Sequence, residues 1–551
     1  MSQALATARL PQPDSLALAE QVAQLVVVRA SGHLFDHEIR YPAWEADRAT
    51  LTRYVQELGV GGVILLGGSA AEVGLKTQAL QAEAAIPLLI AADVEEGVGQ
   101  RFSGATWFPP PMALAAVAQR DRATALAYAE AFGAATAAEA LALGLNWVLA
   151  PVVDINNNPH NPVINVRAFG ADRDQVCALT QAFLRGAQTQ PVLTTAKHFP
   201  GHGDTDTDSH LELPVLPHDL ARLEALELAP FRAAIAAGVD AVMTAHLQVP
   251  ALDRRHPATL SAPTLTGLLR QRLGFDGLIV TDALVMGAIA NTYGPYEAAV
   301  LAVEAGADVL LMPGDPEGVI AAVVEAVNRG RLAPERILAS VERLWRAKQK
   351  AAPALLPDGA SHAWEHLPPP PLQLNAVAQP ATRQLAADML SQSMTVRGQI
   401  APCPSHAPGH NLVMVDDAVD CRVLDRTAAA LVWPTQHHYQ FQLLDTQGCQ
   451  RWPQGDLRPS LVQVFVRGNP FRGSAPLLHL ATAWLEALKA ADLLRGVVVY
   501  GSPYAFEQLC ARLGPIPHGF TYGQMPQAQQ LILPLLLAAP TAATVDRTFT
   551  D

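Results

Sequence analysis

Between residues 25 and 313, eight short apolar runs rich in Val, Ile and Leu recur with room for a helix between most of them. They are LVVV (25–28), VGGVILLG (60–67), PLLIAAD (87–93), NWVLAPVVD (146–154), LTTAKHF (193–199), DAVMTAHLQV (240–249), GLIVTDAL (277–284) and ADVLLMP (307–313). Between most of them lie Ala/Leu/Glu/Arg segments of helical length, such as ATALAYAEAFGAATAAEALAL and DLARLEALELAPFRAAIAAG. This alternation predicts parallel strands covered on both faces. Eight strand–helix units over about 350 residues fit a (β/α)8 barrel better than an open sheet. Half the residues are hydrophobic but only 6% are aromatic, so Ala, Leu and Val must fill the interior.

At 551 residues the chain is too long for one core. The expected organisation is a barrel over 1–351, a Pro-rich linker over 352–380 and an α/β sandwich over 381–551, with helices on both faces of its sheet. In this last part SMTVRG, NLVMVDD, AALVWP, FQLLD, LVQVFVRG and RGVVVYG read as strands, and APLLHLATAWLEALKAA as a helix. No glycine-rich phosphate loop is present there.

The formal net charge of −13, without a basic tract, argues against nucleic-acid binding. Five scattered cysteines with no CxxC spacing point to reduced thiols. The first residues lack a charged segment followed by an apolar core, so no secretory signal is expected. LILPLLLAA (531–539) is too short to span a bilayer and is broken by Pro534. A cytoplasmic protein without a membrane partner is the expectation.

The apolar runs end in ionisable residues: Asp93, Asp154, Lys197 with His198, His246 and Asp282. In a (β/α)8 barrel the carboxyl ends of the strands form the active face, so the set predicts a pocket. The fifth run continues into KHFPGHGDTDTDSH (197–210), which holds three histidines, three aspartates and a lysine. Asp204, Asp206 and Asp208 alternate as in a calcium loop, but Ser209 and Val215 stand where that loop needs Gly and Glu. His198, His202 and His210 match no known zinc signature, so no metal and no cofactor is expected. Acid–base chemistry fits better. A histidine exchanges protons near neutral pH, and a nearby carboxylate, as Asp208 is to His210, stabilises its imidazolium. Asp282 is the best-placed partner nucleophile.

These residues resemble family 3 of the glycoside hydrolases, in the β-N-acetylhexosaminidase branch that acts on bacterial cell-wall fragments. KHFPGHGDTDTDSH resembles the family signature, IAADVEEGVGQRF its strand-three segment, NPVINVRAFG a later loop and VTDALVMGAI the segment carrying its nucleophile. The resemblance spans about residues 20 to 350; the C-terminal part is more loosely similar to the sandwich of two-domain members. It implies Asp282 as nucleophile, His210 as acid/base with Asp208 as its partner, and sugar contacts from Asp93, Arg101, Arg167, Lys197 and His198. The implied reaction is retaining, on a small carbohydrate such as a GlcNAc-containing disaccharide or muropeptide. Because an imidazole base does not repel an anion, a phosphorylase is an alternative, as is a β-glucosidase-type hydrolase. An alternative of another class is a catalytically silent carbohydrate-binding protein, against which the joint presence of Asp282, Asp208 and His210 weighs.

Two features modify this picture. The family's Glu-Gly-Gly run reads Glu95-Glu96-Gly97 here, followed by Val98 where arginine is usual, which alters the turn between Asp93 and Arg101. Gly201 and Gly203 are expected to act as hinges of the loop carrying His210.

Overall fold

The computed structural model describes residues 10–209, 211–351, 372–447, 458–467 and 473–537. The chain forms two compact units. One comprises Met1–Phe108 and Asp121–Leu385, and the other comprises Pro109–Arg120 and Ala386–Asp551.

The first unit carries the eight expected strands: β1 (Val26–Ser31), β2 (Gly62–Leu66), β3 (Leu89–Ala92), β4 (Trp147–Val148), β5 (Leu193–Phe199), β6 (Ala241–Thr244), β7 (Leu278–Val280) and β8 (Leu310–Leu311). They run in the order β7-β6-β5-β4-β3-β2-β1-β8, and each neighbouring pair is parallel. A parallel bridge between Val280 and Val309 joins the two ends, so the sheet closes into a barrel. Asp308, fully buried beside this seam, accepts from the Ile279 N–H (3.0 Å) and from Arg270 Nη2 (2.6 Å). Its second oxygen takes the Ser340 hydroxyl at 2.6 Å, so one carboxylate ties the seam to the helix Pro334–Lys350.

The strands form because their side chains are buried on both faces, which a βαβ alternation demands. All seven residues of β5 are buried, Lys197 and His198 included. Several helices start at side-chain caps. Ser69 and Glu72 form a capping box for Ala70–Glu83, and Asp121 accepts from the Ala123 and Thr124 N–H groups to open Arg122–Ala142. That helix lies against Arg173–Ala187 with almost no gap. A Cβ on Gly133 would stand 2.1 Å from the Phe183 carbonyl oxygen, and one on Gly186 1.8 Å from that of Glu130. The segment expected as one helix near 219–238 is two, Leu220–Ala225 and Ala229–Ala236. Of the proline-rich stretch, 352–371 lies outside the described residues, while Gln373 N–H donates to the Ala142 carbonyl within the first unit.

The second unit is built on β9 (Thr395–Arg397), β10 (Gly409–Val415), β11 (Tyr439–Asp445), β12 (Ser460–Val466), β13 (Leu494–Gly501) and β14 (His518–Thr521). Their order is β11-β10-β12-β13-β14-β9, parallel except for the last pair. Leu412, Met414, Val462 and Val464 on one face pack with Leu477, Leu480 and Trp484 of the helix Ala475–Ala490. From the other face Asn411 and Gln463 donate to the Ala430 carbonyl (2.8 and 2.6 Å). Ala430 lies in the helix Ala429–Gln436. AALVWP, expected as a strand, is this helix. A six-residue apolar run carries no usable periodicity, and Ala flanks it on the helical side.

Among the described residues no helix is long and apolar enough to cross a membrane. Cys177, Cys403, Cys421 and Cys510 are free thiols, and Cys449 lies outside the described residues.

Candidate active site

The barrel brings the strand-end residues of β3, β4 and β5 into one buried ionic cluster. Lys197, near the end of β5 and 1% exposed, places Nζ 2.7 Å from Asp93 Oδ1 and 2.6 Å from Glu95 Oε1. Glu95 also receives Arg167 in bidentate fashion, Nε to Oε2 at 2.7 Å and Nη2 to Oε1 at 2.8 Å. Arg167 Nη2 lies 3.5 Å from His198 Nε2, and His198 Nδ1 lies 2.8 Å from Asp154 Oδ2. Arg101 turns back on the same strand end, its Nε donating to the Asp93 carbonyl at 2.8 Å. Five residues expected to contact sugar (Asp93, Arg101, Arg167, Lys197 and His198) thus share one network.

Burial and charge act against each other throughout this cluster. Burial alone would raise the Glu95 carboxyl, but Arg167 and Lys197 hold it well below the usual carboxylate range. Burial works against the Lys197 ammonium, yet Asp93 and Glu95 raise it. Asp154 is likewise penalised by burial and lowered by His198 and His202. Glu95, Asp154 and Lys197 therefore keep their charges around neutral pH. The accessible member of the cluster is Asp93, whose side chain is 31% exposed against 2% for Glu95. Asp93 is the carboxylate that a ligand's hydroxyl groups can reach, with the two cations fixed behind it.

Sequence spacing did not mark Glu95, which is the hub. It stands two residues after Asp93, so the period-two alternation of an extended chain was the available signal. Asp154 and His246, two further members of the strand-end set, brace their neighbours. Asp154 accepts from the backbone N–H groups of His198 (3.1 Å) and His202 (2.7 Å), fixing the start of the long loop after β5. The Lys197–His198 and Phe199–Pro200 peptides are cis, and the ladder to β6 shifts register there.

Asp282 follows β7, the second strand along from β5 in the barrel. Its Oδ1 accepts from the Ala283 N–H at 2.7 Å, and its own N–H points to Thr244 Oγ1 at 3.4 Å. Fully buried His246 supports the neighbouring peptide, with Nε2 3.1 Å from the Ala283 carbonyl and Nδ1 2.8 Å from Thr259 Oγ1. The charge of Asp282 is felt by the buried His202 on the β5 loop, so that loop and the end of β7 share one electrostatic neighbourhood. Asp208 begins a turn, its carbonyl accepting from the Leu211 and Glu212 N–H groups at 3.0 Å each. His210 lies outside the described residues.

The first half of this loop is anchored rather than hinged. A Cβ on Gly203 would lie 1.8 Å from the Ile155 carbonyl oxygen, and one on Gly201 2.8 Å from Glu227 Cβ. Gly203 therefore serves a close backbone approach and Gly201, at φ +128°, packs against the Glu227 side chain, in place of the hinge role expected of them. Asn161 Nδ2 donates to the carbonyls of His202 (2.8 Å) and Gly203 (3.1 Å). Asp204 is held by His218 Nε2 (2.8 Å) and Arg222 Nη2 (3.2 Å). The departures at Glu96 and Val98 are absorbed inside the protein. Glu96, 1% exposed, accepts from Trp107 Nε1 at 2.9 Å, and Val98 is fully buried.

Burial depresses the His202 imidazole to about 4. The unfolded chain therefore takes up a proton near 6.5 that the folded protein refuses until near 4. Stability from neutral His202 is complete above the unfolded value and falls as the pH drops through this window, by about 3 kcal/mol. Urea unfolding at neutral pH and near pH ~4.5 should show a shallower acid loss in His202→Asn than in the wild type. Equal slopes would contradict this assignment.

Residues 17–347 match the glycosyl hydrolase family 3 N-terminal domain, and residues 404–538 match the bacterial glycosyl hydrolase family 3 C-terminal domain. The chain is 32% identical over 399 residues to beta-hexosaminidase A of Pseudoalteromonas piscicida, a match covering 66% of this chain and 64% of that protein. It is 34% identical over 315 residues to a beta-N-acetylglucosaminidase/beta-glucosidase of Cellulomonas fimi, covering 55% of each. In both cases the match spans less than two thirds of the relative's length. The fold resembles that of a family 3 beta-N-acetylglucosaminidase from Paenibacillus sp. str. FPU-7, with a TM-score of 0.74, 32% identity, and 94% of this chain and 95% of that one covered. A barrel whose strand ends converge on a buried acid–base cluster, and a family match over more than half the sequence, lead to one conclusion: the chain belongs to glycosyl hydrolase family 3.

Proposed function

We propose that the protein is a retaining glycosidase releasing terminal β-linked N-acetylglucosamine, with peptidoglycan-derived fragments as its natural substrates. The observation that carries this reading is the Asp93–Lys197–Glu95–Arg167–His198–Asp154 network at the barrel mouth, on a chain of this family. An exposed carboxylate backed by fixed cations suits paired hydroxyl groups of a sugar ring. Relatives named for β-hexosaminidase and β-N-acetylglucosaminidase support the choice of sugar.

In the proposed reaction the Asp282 carboxylate attacks the anomeric carbon while His210 gives a proton to the departing glycosidic oxygen. The glycosidic bond breaks, and an ester to Asp282 forms. The histidine, now neutral and oriented by Asp208, takes a proton from water, whose oxygen displaces Asp282 and releases the sugar with its configuration retained. Most retaining glycosidases assign these tasks to two carboxyl groups; here the second is an imidazole. Phosphate is a competent acceptor in place of water for the same reason.

The direct test compares aryl β-GlcNAc with aryl β-glucoside, each with and without phosphate. Hydrolysis of the GlcNAc substrate by a wide margin is expected; preference for glucoside would overturn the sugar class. His210→Ala should lose about 10²-fold or more on poor leaving groups and far less on activated aryl groups, which depart without a proton. Equal losses would mean that His210 is not the acid.

A further inference from the structure

We infer that Arg29 and Trp44 form a second sugar position, on the β1 side of the barrel mouth, for the ring beyond the scissile bond. This deepens the function proposed above and rests on it. The strand register carries the placement. From Leu193 on β5, paired residues lead through Trp147, Ala91 and Ile64 to Arg29 on β1. The other way round, Lys197 pairs with Met243, Met243 with Val280, and Val280 with Val309. Val26 pairs with Leu310, whose N–H donates to the Leu25 carbonyl, so Val309 stands beside Leu25.

The two routes close about eight residues out of step, which is the stagger of a (β/α)8 barrel. The level perpendicular to the barrel axis therefore shifts by about one residue per strand. Counted from Lys197 with this shift, two strands one way give Asp93 and two the other way give Asp282. Four strands in either direction give Arg29. Alternate strands supply the inward side chains of one layer in such a barrel. Arg29 is thus the β1 member of the layer that holds Asp93, Lys197 and Asp282, and it stands across the barrel from Lys197.

The surroundings of Arg29 suit a sugar. Its Nε and Nη2 donate to Glu45 Oε1 at 3.2 and 2.9 Å, and Glu45 is buried. That pairing fixes the guanidinium and leaves Nη1 to donate to a ligand oxygen. Its carbon lies 5.1 Å from the centre of the Tyr41 ring and 5.8 Å from that of Trp44. Both rings are nonetheless 41% exposed, so they are held in place without being buried. Beside them opens a cavity of about 480 Å³, lined by Arg29, Trp44, Glu45, Tyr54 and Pro313 among others. Its volume is that of a small-molecule site. An indole offers an apolar face on which a pyranose ring can lie, and arginine reads the ring's oxygens. Lys197, Glu95 and Arg167 fill the β3–β5 side of the mouth behind Asp93. The rest of a substrate longer than one sugar is therefore directed to the β1 side.

The test compares a β-1,4-linked GlcNAc disaccharide, which fills both positions, with β-GlcNAc fluoride, which has no second ring. Trp44→Ala removes the platform, and Arg29→Lys keeps the charge facing Glu45 but loses the fork. Both variants are assayed on both substrates, with urea unfolding measured alongside. The ratio of kcat/KM on the disaccharide to that on the fluoride should fall about fivefold or more in each, chiefly through KM. Trp44→Phe, which keeps an aromatic face, should recover most of the loss. A smaller fall of the ratio in either variant, or lower stability with the ratio unmoved, would overturn the inference. The wild type separates the two ideas. If it hydrolyses both substrates and the variants leave the ratio unmoved, the proposed function stands and the second sugar position falls. If it hydrolyses neither, both fall.

Discussion

Asp282→Gly should lower kcat on aryl β-GlcNAc by about 10⁴-fold or more while leaving the fold intact. The carboxylate stands just past the end of β7, where its Oδ1 takes the Ala283 N–H and its own N–H faces Thr244. These contacts orient the side chain but contribute little to a core whose β6 and β7 residues are already buried. The variant therefore loses the atom that forms the covalent bond and little else. Azide, small enough for the vacated space, should restore turnover by attacking from the side Asp282 occupied. The product would be the α-glycosyl azide, because one displacement inverts the centre. Asp282→Asn retains the shape and should be nearly as inactive. Turnover above about 1% of wild type, without contaminating enzyme, would exclude Asp282 as nucleophile.

Glu95→Gln should lower kcat/KM by about 10²- to 10³-fold and destabilise the fold by about 3–5 kcal/mol. One carboxylate here balances two buried cations, Arg167 through two bonds and Lys197 through one. Glutamine keeps the volume but directs an NH2 group at a guanidinium or an ammonium. The remaining anion within reach of Lys197 is Asp93, the group proposed to meet the substrate. The variant should draw Asp93 away from the sugar, so KM rises and kcat falls together. Glu95→Asp keeps the charge and shortens the reach, and should fall between the two. Urea unfolding and steady-state kinetics on the same preparations check both parts. Glu95→Gln within about threefold of wild type in both would contradict the hub assignment.

Much of the barrel was legible because its strands are buried on both sides and so appear as continuous apolar runs. LTTAKHF coincides with β5 from Leu193 to Phe199. NWVLAPVVD keeps only Trp147–Val148 as β4, although Val152 still pairs with Lys197 further on. In the second unit, β14 (His518–Thr521) passed unnoticed, since HGFT has neither the length nor the composition of a buried strand. The candidate site was legible as a set of residue types at one end of the strands. Its wiring was not. Whether a strand-end side chain meets the ligand or braces another side chain depends on its direction, which spacing alone leaves open. Hence Asp93, Lys197, Asp154 and His246 stand alike in the strand-end set, with nothing to separate a ligand contact from a brace, and Glu95, the hub of the network, lies outside that set. The glycines show the same limit. Gly201 and Gly203 read as freedom in the sequence and are close packing in the fold.

The central claim is that Asp282 forms a glycosyl ester during turnover. A fluorinated GlcNAc with a good leaving group, which forms this ester quickly and releases it slowly, should add one sugar to the protein. Peptide mass spectrometry should locate that sugar on the segment containing Asp282. Attachment at another carboxylate, or steady turnover of the reagent with no burst and no adduct, would contradict it.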